Sequence, residues 1–194
     1  TVDGVETVYT QDDALTTTTV HFDANSGNHT VNATFAPFIY TITVNAGQNG
    51  AITPGTSTYE FNTTPTFLIT PNTGYGIVDV TVDGESKGAI STYTFPALTS
   101  DHTIAATFAA YQYTITANAG NGGTITPAGV TNMVYGGNQT YTITASNGYH
   151  IANVYVDGVA VADPTSTYTF ENVTANHTIY AVFEANQYTI TVNQ

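Results

Sequence analysis

Apolar and polar residues alternate with a period of two along most of this chain. Tyr113, Ile115 and Ala117 fall on one phase and Thr114 and Thr116 on the other; Ile179, Ala181 and Phe183 alternate in the same way with Thr178, Tyr180 and Val182. Successive side chains of a strand point to opposite faces, so the pattern predicts half-buried strands of the antiparallel kind. Between the strands lie "NAGQNG", "NAGNGG", "ASNGY" and recurrent "VDG", where Asn, Asp and Gly supply the positive φ of tight turns. The alternation slips by one residue at Ile77–Val80 and again at Ile151–Val154, which reads as a bulge or a strand bend. No stretch of ten or more residues carries a 3.6-residue period with caps, so almost no helix is expected.

These strands recur in a fixed order. One module opens at Tyr40 with "YTITVNAGQNGAITPG", passes "GYGIVDVTVDG" and closes with "STYTFPALTSDHTIAATFAAYQ". The next opens at Tyr113 with "YTITANAGNGGTITPAG", passes "GYHIANVYVDG" and closes with "STYTFENVTANHTIYAVFEANQ". The N-terminal stretch holds only a closing half, with Phe22, His29 and Phe35 in step with Phe95, His102 and Phe108, and the last residues, "YTITVNQ", repeat an opening strand. The chain thus divides into an incomplete first module at 1–39, complete modules at 40–111 and 112–187, and a terminal strand at 188–194. The fold class expected is all-β: small antiparallel modules in tandem, each a compact sandwich or twisted meander.

The order of "YTIT", "TITP", "GY", "VDG", "YTF" and "HTI" resembles the divergent internalin B-repeat family, or bacterial repeat domains, over both complete modules and the closing half of the first. The resemblance implies a β-rich module strung on secreted or surface proteins as a spacer or adhesive element, without catalysis. It also implies a relation to the β-grasp fold, whose helix the periodicity here does not support.

Composition narrows the partners. Hydrophobic residues make up 41% of the 194 residues and aromatic ones 12%, which suffices for cores. Only 8% are charged, and one Lys against 14 acids gives a net charge of −13. Such a chain repels polyanions, so neither nucleic acid nor an anionic membrane surface is expected as a partner. Its polar surface comes from Thr, at 40 residues, with Asn, Ser and Gln, which suits exposed strand faces and suggests a bacterial or archaeal extracellular or cell-surface location. Without Cys there is neither a disulfide framework nor a thiolate metal site.

Candidate chemistry is sparse. His29, His102 and His177 recur at one position, one per module, which reads as turn or strand-edge packing. Asp3, Asp83 and Asp157 occupy the "VDG" turns. Asp79, Asp83 and Glu85 form a weak calcium set, because an oxygen site needs six or more ligands and the next module has Asn153, Asp157 and Val159 there. No metal or cofactor is therefore assigned. With no Ser elbow, no Cys and no carboxylate pair unique to one module, no enzyme is expected. Tyr75, Tyr149, Tyr93 and Tyr168 fall on the inward phase and read as core or cross-strand packing. Asn28, Asn32, Asn62, Asn138, Asn172 and Asn176 begin Asn-x-Thr sequons, candidates for N-glycosylation in a host that has the enzyme.

The terminal strand raises the functional question. Alone, it leaves backbone groups unpaired and Tyr188, Ile190 and Val192 exposed. Either the chain is a window of a longer array, or this strand completes the half-module of another subunit by strand donation. Burying the three side chains would contribute about 1.5–3 kcal/mol each. A head-to-tail contact of that kind builds a filament. The half-module lacks about forty opening residues, so the insertion Glu6–Thr19 would have to supply a further strand. The expectation is a structural subunit of an extracellular filament, or a segment of a repetitive stalk, whose partner is itself. The alternative is an adhesin contacting carbohydrate or a receptor through exposed loops.

Overall fold

The computed structural model describes residues 27–32, 36–163 and 165–192. Most of the incomplete first module, including Asp3, Phe22, Phe35 and the insertion Glu6–Thr19, lies outside these residues. Among the described residues every regular element is a strand, and no helix occurs. The first complete module contains β1 (Ile39–Ala46), β2 (Gly50–Thr53), β3 (Ser57–Glu60), β4 (Thr66–Pro71), β5 (Tyr75–Val82), β6 (Glu85–Ser86), β7 (Thr92–Thr94) and β8 (His102–Ala110). The second repeats them as β9 (Gln112–Ala119), β10 (Gly123–Thr126), β11 (Gly129–Val134), β12 (Gly137–Ala145), β13 (Tyr149–Val156), β14 (Val159–Ala160), β15 (Thr167–Val173) and β16 (His177–Ala185).

Each module is a sandwich of two sheets. In the first, a five-stranded sheet runs β3-β1-β8-β5-β6 against a three-stranded sheet β2-β4-β7; the second has β11-β9-β16-β13-β14 against β10-β12-β15. One pairing departs from the antiparallel expectation: β1 lies parallel to β8, and β9 parallel to β16. Opening and closing strands of a module are separated by its whole length, so no hairpin constrains them to run antiparallel. Taken in chain order, the large sheet reads second-first-fifth-third-fourth with first and last parallel, the β-grasp arrangement. The small three-stranded sheet covers the face that a helix covers in that fold. Sandwich and grasp, alternatives in the sequence, are thus combined.

The period-two pattern explains what each strand buries. In β4 the burial alternates, with Phe67 and Ile69 inside and Leu68 half exposed. Ile42 and Ile104, from the parallel pair, are fully buried beside Val80, Phe95 and Leu98. A separate core gathers Ile115, Tyr141, Ile143, Val154, Val173 and Ile179. The slips in alternation are register shifts between Ile77 and Asp79 and between Ile151 and Asn153, which seat one extra residue in β5 and β13. Tyr93 and Tyr168 pack at the edge of the two cores as expected. Tyr149 does not: it is 41% exposed and lies across Gly122, where a Cβ would strike its ring. The residue stands at the strand start, where the turn before it and not the alternation sets its direction.

Tyr141 is fully buried with its hydroxyl unpartnered, whereas the equivalent residue of the first module is Phe67. A buried hydroxyl without a partner keeps its desolvation penalty. Tyr141→Phe is accordingly expected to raise stability by about 1 kcal/mol, visible as a higher urea midpoint with an unchanged slope.

Candidate functional site

Two recurrent groups of side chains fasten the closing strand of each module, one to the opening strand and one to the "VDG" turn. The loop before β8 supplies the first. Asp101 Oδ1 accepts a hydrogen bond from the Thr41 amide at 2.7 Å, and Asn176 Oδ1 accepts one from the Thr114 amide at 2.9 Å. Each carboxyl or carboxamide thus captures an amide near the start of the opening strand, next to the parallel ladder.

The second group joins the "VDG" turn to the start of the closing strand. Asp83, at φ 52°, accepts from the Thr103 amide at 2.8 Å through Oδ1, while Oδ2 lies 2.7 Å from His102 Nδ1. Asp157, at φ 50°, does the same with the Thr178 amide at 2.7 Å and His177 Nδ1 at 2.7 Å. The imidazoles lean on Phe95 and Phe170, with ring centroids 5.3 and 5.0 Å apart. Sequence reading finds the Asp and the His separately. Their pairing was hidden by some twenty residues of intervening chain, although both recur in step.

Burial pushes the Asp83 and Asp157 carboxyls up, but the His and Thr hydrogen bonds outweigh it and hold both pKa values below the usual aspartate range. A carboxyl whose folded pKa is lowered stabilises the fold above its unfolded pKa of about 3.9, and that contribution is lost as pH falls through the folded value. Both carboxylates are about half exposed, so solvent screening keeps the contribution small. Asp83→Asn or Asp157→Asn is expected to lower stability by about 1 kcal/mol at pH 7. Denaturant titrations should show the difference from the parent shrinking as pH falls below about 4.

Ser100 Oγ stands 3.4 Å from His102 Nε2, so Ser100, His102 and Asp83 follow the order of a hydrolytic triad. In the other module the position of Ser100 is Ala175, while His177 and Asp157 keep their contact. What the two modules share is therefore the strand clasp. The three calcium candidates have separate partners: Asp79 accepts from Ser86 Oγ and the Gly88 amide, Asp83 sits in the clasp, and Glu85 pairs with Lys87 Nζ at 3.0 Å. Among the described residues no three potential ligands converge. Of the sequon residues, Asn138 Oδ1 accepts from the Asn172 amide at 2.7 Å, and Asn176 belongs to the strand capture. Asn62 is exposed in a turn at φ 67°, and Asn28 and Asn32 are exposed.

A third arrangement lies between the modules. The Tyr111 amide donates to the Gly74 carbonyl at 2.9 Å, and the Tyr135 amide donates to the Tyr111 carbonyl at 2.9 Å. The Tyr135 ring covers Gly74, at φ 84°, so closely that a Cβ there would collide with it. Gly148 is the equivalent glycine of the next module, at φ 83° with open space around its Cβ position, and accepts from the Asn186 amide at 2.7 Å. At the start of the first complete module, the Phe61 amide donates to the Phe38 carbonyl at 2.8 Å, with both rings about half exposed. Gly148→Ala should show only the left-handed backbone penalty, about 1–2 kcal/mol. Gly74→Ala adds the ring collision, about a further 1–3 kcal/mol, and the difference between the two variants in thermal or urea unfolding measures the junction.

Residues 186–192, beyond β16, carry no regular structure, and Tyr188, Ile190 and Val192 are 83%, 89% and 81% exposed. Among the described residues no helix is long and apolar enough to cross a membrane.

Small all-β sandwiches repeated in tandem, with opening and closing strands clasped and a defined contact between neighbours, make this a tandem-repeat protein. The family model of the divergent InlB B-repeat domain matches residues 40–112 and 113–187, and the chain belongs to that family. No curated protein and no solved structure matches it.

Proposed function

We propose that this chain is a non-catalytic structural element of an extracellular or cell-surface array, in which copies join head to tail by donating the strand 188–192. One observation carries the reading. Tyr188, Ile190 and Val192 repeat the opening-strand pattern, yet are more than four-fifths exposed, whereas Ile42 and Ile115 at the position of Ile190 are fully buried. An apolar opening-strand sequence left uncovered in this way is available to pair with the sheet edge of another chain. The contact of Tyr135 on Gly74 supports an array with defined geometry, since it restrains one module against its neighbour. The captures by Asp101 and Asn176 support a mechanical role, because they tie the opening and closing strands of each module together by side chain as well as by ladder.

The reading predicts concentration-dependent association. Sedimentation velocity of the purified chain at neutral pH is expected to show species heavier than the 20.4 kDa monomer that grow with concentration. A single monomer peak over a hundredfold concentration range would contradict it.

A further inference from the structure

Resting on the reading just given, the geometry points to the acceptor of the donated strand: the segment Asn28–Val31 of a second copy, paired parallel and in one register. Residues 28–31 repeat the start of β8 and β16, with Asn28 at the position of Asp101 and Asn176, and Val31 at that of Ile104 and Ile179. Ile104 and Ile179, in ladder beside the parallel opening strand, are 0% and 1% exposed in their cores, whereas Val31 is 53% exposed. The segment therefore presents the sequence of a closing strand with a single bridge, at Val31, in place of the ladder that an opening strand gives β8 and β16. Segment 188–192 has the complementary condition: it carries the sequence of an opening strand, lies outside the strands, and leaves Tyr188, Ile190 and Val192 uncovered.

The two complete modules fix the register. In the first, Ile42, Thr43 and Val44 lie opposite His102, Thr103 and Ile104; in the second, Ile115, Thr116 and Ala117 lie opposite His177, Thr178 and Ile179. By the same register Ile190, Thr191 and Val192 of one copy lie opposite His29, Thr30 and Val31 of the next. The amide captured by Asp101 or Asn176 belongs to Thr41 or Thr114, whose counterpart is Thr189. Asn28 Oδ1 then accepts from the Thr189 amide of the incoming strand. This gives Asn28 a role as a strand-capturing side chain, and Asp serves equally at its position, as Asp101 does.

Because the chain has no cysteine, the register can be tested by engineered disulfides in the full-length protein. Mixing a Thr30→Cys chain with a Thr191→Cys chain under mild oxidation is expected to give an intermolecular heterodimer on a non-reducing gel. A Thr30→Cys chain mixed with a Thr189→Cys chain, two residues out of step, is expected to give little. Asn28→Ala should weaken self-association by about 2- to 10-fold, the loss of one hydrogen bond, while Asn28→Asp retains it. Association that persists with no cross-link between positions 30 and 191, or with equal cross-linking at 189, would overturn this register and leave the strand-donation reading standing. A chain that stays monomeric would overturn both.

Discussion

Removing Gln187–Gln194 is expected to yield folded monomers that no longer assemble. Both cores are built from residues that end at Phe183, and β16 closes at Ala185, so the deletion withdraws nothing from either sandwich. Circular dichroism and the urea midpoint should match the parent. Association, by contrast, loses the burial of three apolar side chains, about 4.5–9 kcal/mol at about 1.5–3 each. The ladder hydrogen bonds, at about 0.5–1.5 kcal/mol apiece, are lost as well. At about 1.4 kcal/mol per tenfold, that is a fall of more than about a thousandfold in association constant. Assembly surviving the deletion would show that the contact is made elsewhere on the molecule.

Phe95→Ala is expected to have the largest effect on folding, and to confine it to one module. Phe95 is 1% exposed, meets Phe67 and Tyr93 edge to face at centroid distances of 5.7 and 4.9 Å, and supports the His102 ring. Truncating a buried Phe to Ala costs about 3–5 kcal/mol, through lost burial and the cavity left behind. That is a large part of the about 5–15 kcal/mol that stabilises an ordinary domain. The two cores share no residues, so residues 113–187 should keep native amide resonances while those of 40–112 collapse toward unfolded positions. Unfolding would then proceed in two steps. One cooperative transition for both modules, lowered as a whole, would show that the Tyr111–Gly74–Tyr135 contact binds them into a single folding unit.

The sequence carries the strands openly because strand structure has a period of two, and Thr alternates with Ile, Val and Tyr nearly without interruption. It carries the bulges too, since one extra residue at Val78 or Ala152 inverts the phase that follows. What periodicity reports is the face on which a side chain sits, and it is silent on the neighbour across the ladder. The parallel pairing of β1 with β8 was therefore hidden, as was the partnership of Asp83 with His102. The junction was hidden for a related reason: Gly74 reads as an ordinary turn glycine and Tyr135 as the end of a strand. Only the approach of two modules makes that glycine's missing side chain a seat for the ring. The apolar phase of Tyr188, Ile190 and Val192, by contrast, follows directly from comparing repeats.

Electron microscopy of the purified full-length chain at neutral pH, with mass spectrometry to confirm its intact mass, tests the central claim most directly. Strand donation predicts filaments whose axial repeat matches one subunit. Monodisperse particles of monomer size, at concentrations well above micromolar, would contradict it.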